Sequence, residues 1–177
     1  LMTNSPQVQL VDLFDRPCGS AEKLAAHRQP LLHRAFSVFL YHEDALLLQQ
    51  RAWQKYHCGG LWANTCCSHP QPGEALPAAA HRRLREELAI DCPLTEIGSF
   101  VYYHPFANGL YEYEYDHIFV GSWHGTAQPD PQEIAALAWL PTEELAADLL
   151  ARPARYAPWF HTAAPLVLAW LAKQAKD

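Results

Sequence analysis

The stretch Trp62-Ala63-Asn64-Thr65-Cys66-Cys67-Ser68-His69-Pro70, continued by Gly73-Glu74 and by a run closing Arg82-Arg83-Leu84-Arg85-Glu86-Glu87-Leu88-Ala89-Ile90, decides how this chain is read. Its first part sets a thiol and an imidazole two residues apart. Successive side chains of an extended segment point to opposite faces, so Cys67 and His69 share one face while Cys66 and Ser68 share the other. That alternation selects Cys67 over Cys66 as the thiol beside a histidine, whereas an isolated cysteine would read as a small buried apolar residue. The second part reads as a helix after Gly73, because Pro77 suits a first turn and Leu84 and Leu88 lie four apart on one face. A carboxylate-bearing helix of this kind can hold magnesium against a diphosphate, which points to chemistry on a phosphorylated small molecule.

Working outward, Ala35 to Leu40 and Ala45 to Gln49 read as two strands joined at His42-Glu43-Asp44. Ile97 to Tyr103 and Tyr111 to Val120 read as longer paired strands with Asn108-Gly109 at the turn. Thr142 is placed to cap a helix running through Leu150, with Glu143 and Glu144 in its first turn. Trp159 to Lys173 reads as a last helix. Strands grouped around helices without strict alternation predict an α+β chain, an α/β/α sandwich around a mixed sheet.

The chain has 177 residues, half of them apolar, enough for one substantial core and too few for two ordinary domains. Residues 1–177 therefore read as one domain, with 1–20 a loosely ordered N-terminal segment. A formal charge of −6 without a Lys/Arg run argues against a nucleic-acid partner. No apolar run approaches the roughly 20 residues that span a bilayer, and the first residues lack a leader pattern, so a cytoplasmic protein without a membrane partner is expected. Five scattered cysteines do not form a disulfide framework.

Glu112 and Glu114 lie two apart and would project from one strand face about 7 Å apart. They repel unless a cation lies between them, although alternation with tyrosine also fits a half-buried strand whose acids are solvated. Asp116 continues that acidic face. His27 and His33, with His69, add three imidazoles; the five groups form a mixed nitrogen and oxygen set suited to an octahedral Mn²⁺, Fe²⁺, Co²⁺ or Zn²⁺.

Asn64 to Pro70 and Tyr111-Glu112-Tyr113-Glu114-Tyr115-Asp116 resemble the signatures of the type I isopentenyl-diphosphate delta-isomerases, a branch of the Nudix superfamily, and the likeness runs from about Lys23 to about Trp159. The helix after Gly73 resembles a degenerate Nudix box, whose pattern is Gly, five residues, Glu, seven residues, then Arg-Glu-apolar-x-Glu-Glu-x-Gly-apolar. Glu74, Arg82, Leu84, Glu86, Glu87 and Ile90 fall in register. Ser68 replaces the first Gly, Arg83 the first Glu of the core and Ala89 the last Gly. The resemblance implies a diphosphate-binding frame that has lost part of a hydrolytic apparatus.

It further implies a Nudix-like sandwich, a small diphosphate as partner, and a monomer or weak homodimer. His27, His33, His69, Glu112 and Glu114 would hold a divalent metal, Mn²⁺ or Zn²⁺, while Glu87 and the substrate phosphates would hold Mg²⁺. Lys23, Arg51, Lys55 and Arg83 match phosphate-contacting positions, arginine by bidentate contact and lysine as a point charge. Cys67 and Glu114 would be the proton donor and acceptor that move a double bond between isopentenyl and dimethylallyl diphosphate, with Tyr102 hydrogen-bonded nearby and the Trp159 ring facing a carbocation-like state. On sequence alone Trp159 reads equally as a core aromatic, and Arg82 and Glu86 as an i,i+4 pair. The alternative within the superfamily is a pyrophosphohydrolase using metal-activated water; Arg83 argues against it.

Overall fold

The computed structural model describes residues 5–177. Its sheet is organised around the strand β3, His33–His42, named here after β1 (Gln7–Val11), β2 (Pro17–Glu22) and the short helix α1 (Lys23–Arg28). Strand β4 (Ala45–Arg51) turns back against β3 with Leu40 opposite Leu47, as two apolar runs joined by the polar His42-Glu43-Asp44 predict. Glu43 at this turn has a left-handed φ of 52°. Two short strands follow, β5 (Trp62–Ala63) on β4 and β6 (Cys66–Ser68) on β3, before helix α2 (Leu76–Leu88).

The long strands β7 (Thr95–Pro105) and β8 (Tyr111–Ser122) pair antiparallel, with Gly109 at φ +79° in the turn where glycine alone is unstrained. β8 then runs parallel to β3, from His33 opposite Glu114 to Tyr41 opposite Ser122, which makes the sheet mixed. Strand β9 (Ile134–Pro141) lies on β4, and helices α3 (Thr142–Ala151) and α4 (Pro158–Gln174) complete the chain.

Strand alternation sorts the core into two layers. Phe36, Val38 and Leu40 of β3 face α2, where Leu84 and Leu88 are fully buried. Phe39 of β3 with Ile118 and Val120 of β8 faces α4, where Phe160, Ala163, Ala164 and Val167 cover them. The expected α/β/α sandwich results. Leu84→Ala should cost about 2–5 kcal/mol, because its side chain is enclosed and the surrounding strand and helix cannot close the void. A lowered urea midpoint with an unchanged slope would register it.

Three sequence expectations differ from the fold. Most of the segment 1–20, expected to be loosely ordered, belongs to the β1–β2 hairpin, whose Val8 and Val11 are buried; residues 1–4 lie outside the described part. Thr142 is the first residue of α3, not its side-chain cap, because Pro141 precedes it and its own N–H reaches the Asp44 carbonyl at 2.7 Å. β9 was not foreseen, since its partner β4 is almost ninety residues away in the sequence and no local turn announces it.

Candidate active site

The start of β3 carries the polar end of the layer that α4 covers. His33 stands opposite Glu114, Ala35 opposite Asp116, and Ser37 opposite Cys67. Period-two alternation puts Glu112, Glu114 and Asp116 on that same face, all buried. Farther along β8 the same face becomes the apolar Ile118 and Val120.

Around these acids converge the predicted imidazoles. His27 lies 2.8 Å by Nδ1 from the Tyr111 carbonyl and His33 2.9 Å by Nδ1 from the Leu31 carbonyl. A carbonyl can only accept, so each Nδ1 carries the proton and Nε2 keeps the lone pair a metal needs. His69 Nε2 is 3.1 Å from Glu114 Oε1, and His33 Nε2 is 3.7 Å from the same atom. Donor atoms of His27, His33 and His69 lie within 4.8 Å of one another, as do those of His33, Glu112 and Glu114. The loop around Pro30 thus brings both N-terminal histidines to the acids.

This set fits a divalent cation. Among the described residues His33 Nε2 and Glu112 Oε2 are buried without a hydrogen-bond partner, and each such orphan costs roughly 1–3 kcal/mol. Burial, and then the Glu114 charge, pushes the Glu112 carboxyl well up. Burial comes first and opposes the Glu114 charge, but the hydrogen bonds it accepts from Glu112 and His69 outweigh this and hold its carboxyl well below the usual range. His69 is pushed down to about 3, chiefly by burial, so its ring is neutral. Neutral imidazoles facing ionisable carboxyls are the donor set of a borderline divalent ion.

Next to this cluster, Cys67 points to the face opposite Cys66, as alternation requires. Cys66 packs toward α2 and gives its S–H to Glu87 Oε2 at 2.7 Å. The Cys67 thiol donates to Asn64 Oδ1 at 3.0 Å, and the Trp159 indole N–H reaches the same oxygen at 3.1 Å. Asn64 Nδ2 donates to the Val38 and Cys66 carbonyls at 3.1 and 2.9 Å. With every donor and acceptor used, the amide cannot rotate, and it holds thiol and indole side by side. Burial, then the Asp116 charge, raises the Cys67 thiol far above the ordinary range, so it is protonated at neutral pH. Asp116 in turn accepts the Ser37 hydroxyl at 2.9 Å, and Ser37 Oγ lies 3.9 Å from the Cys67 sulfur.

Lys23, Arg51, Lys55 and Arg83 line the same cavity as Cys67, His69, Glu114 and Trp159. Burial, then the Lys55 charge, lowers the Lys23 pKa. Arg51 lies with its guanidinium 5.2 Å from the centre of the Trp159 ring. Glu87 is buried at the same cavity and accepts Arg83 at 3.0 Å; burial comes first in raising its pKa. The cavity takes residues from both sheet faces, Arg83 and Glu87 from the α2 side and Cys67 and Trp159 from the α4 side. It can do so because, among the described residues, the three-residue β6 pairs only with β3 and leaves its outer edge open.

Tyr102 does not make the expected hydrogen bond. It lies opposite Glu114 on β7, largely buried, with its hydroxyl unpartnered among the described residues. Strand pairing places its backbone opposite Glu114, yet its hydroxyl makes no bond to the carboxylate. Sequence reasoning also missed Glu133, which pairs with Lys55 at 2.5 Å, and His57, which lies against His27 and Glu112. Both stand in irregular segments, where no periodicity marks which way a side chain turns. His57 is pushed down to about 3 by burial first and by the His27 and Arg51 charges next.

A NUDIX domain family matches residues 31–160. A curated isopentenyl-diphosphate Delta-isomerase from Burkholderia multivorans is 50% identical over 153 residues, 86% of this chain and 87% of that protein. One from Streptomyces griseus is 49% identical over 159 residues, covering 88% of this chain and 80% of the relative. Among solved structures, a Deinococcus radiodurans protein superposes with a TM-score of 0.75 at 21% identity, over 90% of this chain and 97% of its own. A MutT NUDIX hydrolase from Burkholderia pseudomallei does so at 0.63 and 19% identity, over 77% and 98%. At those identities the structural likeness concerns the fold alone.

Proposed function

Since this chain belongs to the NUDIX domain family and, within it, to the isopentenyl-diphosphate Delta-isomerases, and so interconverts isopentenyl and dimethylallyl diphosphate, we propose that Cys67 and Glu114 carry its two proton transfers. The observation supporting this assignment is the shared cavity, in which a thiol and a carboxyl meet beside four cations. Moving the double bond adds a proton at one carbon and removes one from another, so a donor and an acceptor must face the same five-carbon chain.

Cys67 enters with its proton in place, held by Asn64. Glu114 is the carboxyl held in its charged form, and whichever group has given its proton is ready to receive one in the reverse direction. Trp159 shares the Asn64 anchor with the thiol, and its π face stabilises the electron-poor carbon between the two transfers.

Lys23, Arg51, Lys55 and Arg83 hold the diphosphate. His27, His33, His69, Glu112 and Glu114 would hold Mn²⁺ or Zn²⁺, and Glu87 with the substrate phosphates Mg²⁺, supplying positive charge that lets neighbouring buried carboxylates stay ionised. Hydrolysis is not favoured, because Arg83 occupies the position where the Nudix box carries a carboxylate and pairs with Glu86 and Glu87 instead. No helix among the described residues is long and apolar enough to cross a membrane; the five free thiols support a reducing, cytoplasmic setting.

Incubation with isopentenyl diphosphate in D₂O tests the reading. Deuterium should enter the five-carbon unit and an allylic diphosphate should accumulate with no phosphate released. Release of phosphate or pyrophosphate without the allylic product would overturn it.

A further inference from the structure

We propose that His57 is a metal ligand in this chain, a fourth imidazole that joins His27, His33, His69, Glu112 and Glu114 to complete six donors around one divalent transition-metal ion. The inference rests on the metal reading of the His/Glu cluster and extends it by a residue from a different part of the chain. His57 belongs to the irregular segment between β4 and β5, whereas the other donors come from α1, from β3 and β8, and from just after β6.

The ring is 4% exposed, and both of its nitrogens are buried without a partner among the described residues. A neutral imidazole carries one N–H and one lone pair, so an ordinary core histidine ties at least one of them to a carbonyl or hydroxyl. His27 and His33 do so; His57 does not. Packing nevertheless fixes its plane. Phe106 stacks on it with centroids 4.4 Å apart and planes at 26°, and His27 meets it edge-on at 4.9 Å.

Distances point the same way. The donor atoms of His27, His57 and Glu112 all lie within 4.8 Å of one another, and His57 Nε2 is 3.8 Å from Glu112 Oε1. That separation is too long for a hydrogen bond. Two donors each about 2.1 Å from a common ion lie about 3.0 Å apart when adjacent and about 4.2 Å apart when opposite, so 3.8 Å needs only a small closure. An anion is the wrong occupant here, because the ring faces a carboxylate. Four imidazoles with two carboxylates favour ions that accept nitrogen readily, Zn²⁺, Co²⁺ or Fe²⁺, over the oxygen-preferring Mg²⁺.

The test uses the full chain, stripped by chelation and reloaded with Co²⁺ or Zn²⁺. X-ray absorption should count four imidazoles around one ion per chain in the wild type and three in His57→Ala. Calorimetric titration should show Zn²⁺ affinity weakened by about 100-fold or more in His57→Ala. His57→Phe, which keeps an aromatic ring against Phe106, should show the same loss. Three imidazoles in the wild type, or unchanged affinity and imidazole count in folded His57→Ala, would overturn the proposal while leaving the five-donor reading intact. A wild type that takes up no ion, or a His33→Ala variant that binds as the wild type does, would overturn both.

Discussion

Replacing Cys67 with alanine is expected to lower turnover of isopentenyl diphosphate by about 10⁴-fold, the upper range for losing a positioned acid or base. The diphosphate should still bind, because Lys23, Arg51, Lys55 and Arg83 do not depend on the sulfur. The fold should survive too. Asn64 Oδ1 keeps its bond from Trp159 when the thiol is gone, so the loss of stability should be about 1 kcal/mol. Cys66→Ala is the matching control: that side chain lies against α2 and Glu87, and its removal should affect stability more than chemistry. Steady-state kinetics on both variants, with affinity for a diphosphate analogue measured separately, decide the matter. If Cys67→Ala turned over within tenfold of the wild type, the thiol would have no part in the proton transfers.

Stripping divalent ions is expected to abolish turnover and to soften the protein at the same time. With the ion at about a hundred times its dissociation constant, binding stabilises the folded state by about 2.7 kcal/mol. For a chain of this length that corresponds to a melting shift of about 5–10 °C. Part of the effect arises because His33 Nε2 and Glu112 Oε2 are buried with no hydrogen-bond partner among the described residues. Calorimetry with and without a chelator should show the shift, and it should vanish in His33→Ala. Equal melting temperatures and equal rates with and without chelator would show that the cluster holds no ion that matters.

How much of this was legible beforehand follows from where each residue stands. Cys67 and His69, Glu112 and Glu114 were readable because period-two alternation assigns a face without knowledge of the partner strand. Helix α2 was readable because Leu84 and Leu88 recur at helical spacing. Such rules say which residues share a face, and they do not say which distant segments meet. His57 and Glu133 were missed for that reason: the first lies between two strands and the second just before β9, and only the pairing of β9 with β4 brings Glu133 to Lys55. Tyr102 shows the converse, since strand register located its backbone opposite Glu114 and left the reach of the ring undetermined. The β1–β2 hairpin was obscured because five of the six residues of β2 are exposed, which leaves no apolar alternation to read.

The brevity of β6 has a consequence for what can be admitted. A strand of three residues with one flank unpaired is a doorway through an otherwise closed wall. Side chains rooted on opposite faces of the sheet can therefore line one continuous space. Had the ladder run a few residues longer, the two halves of the reaction chamber would be separate rooms.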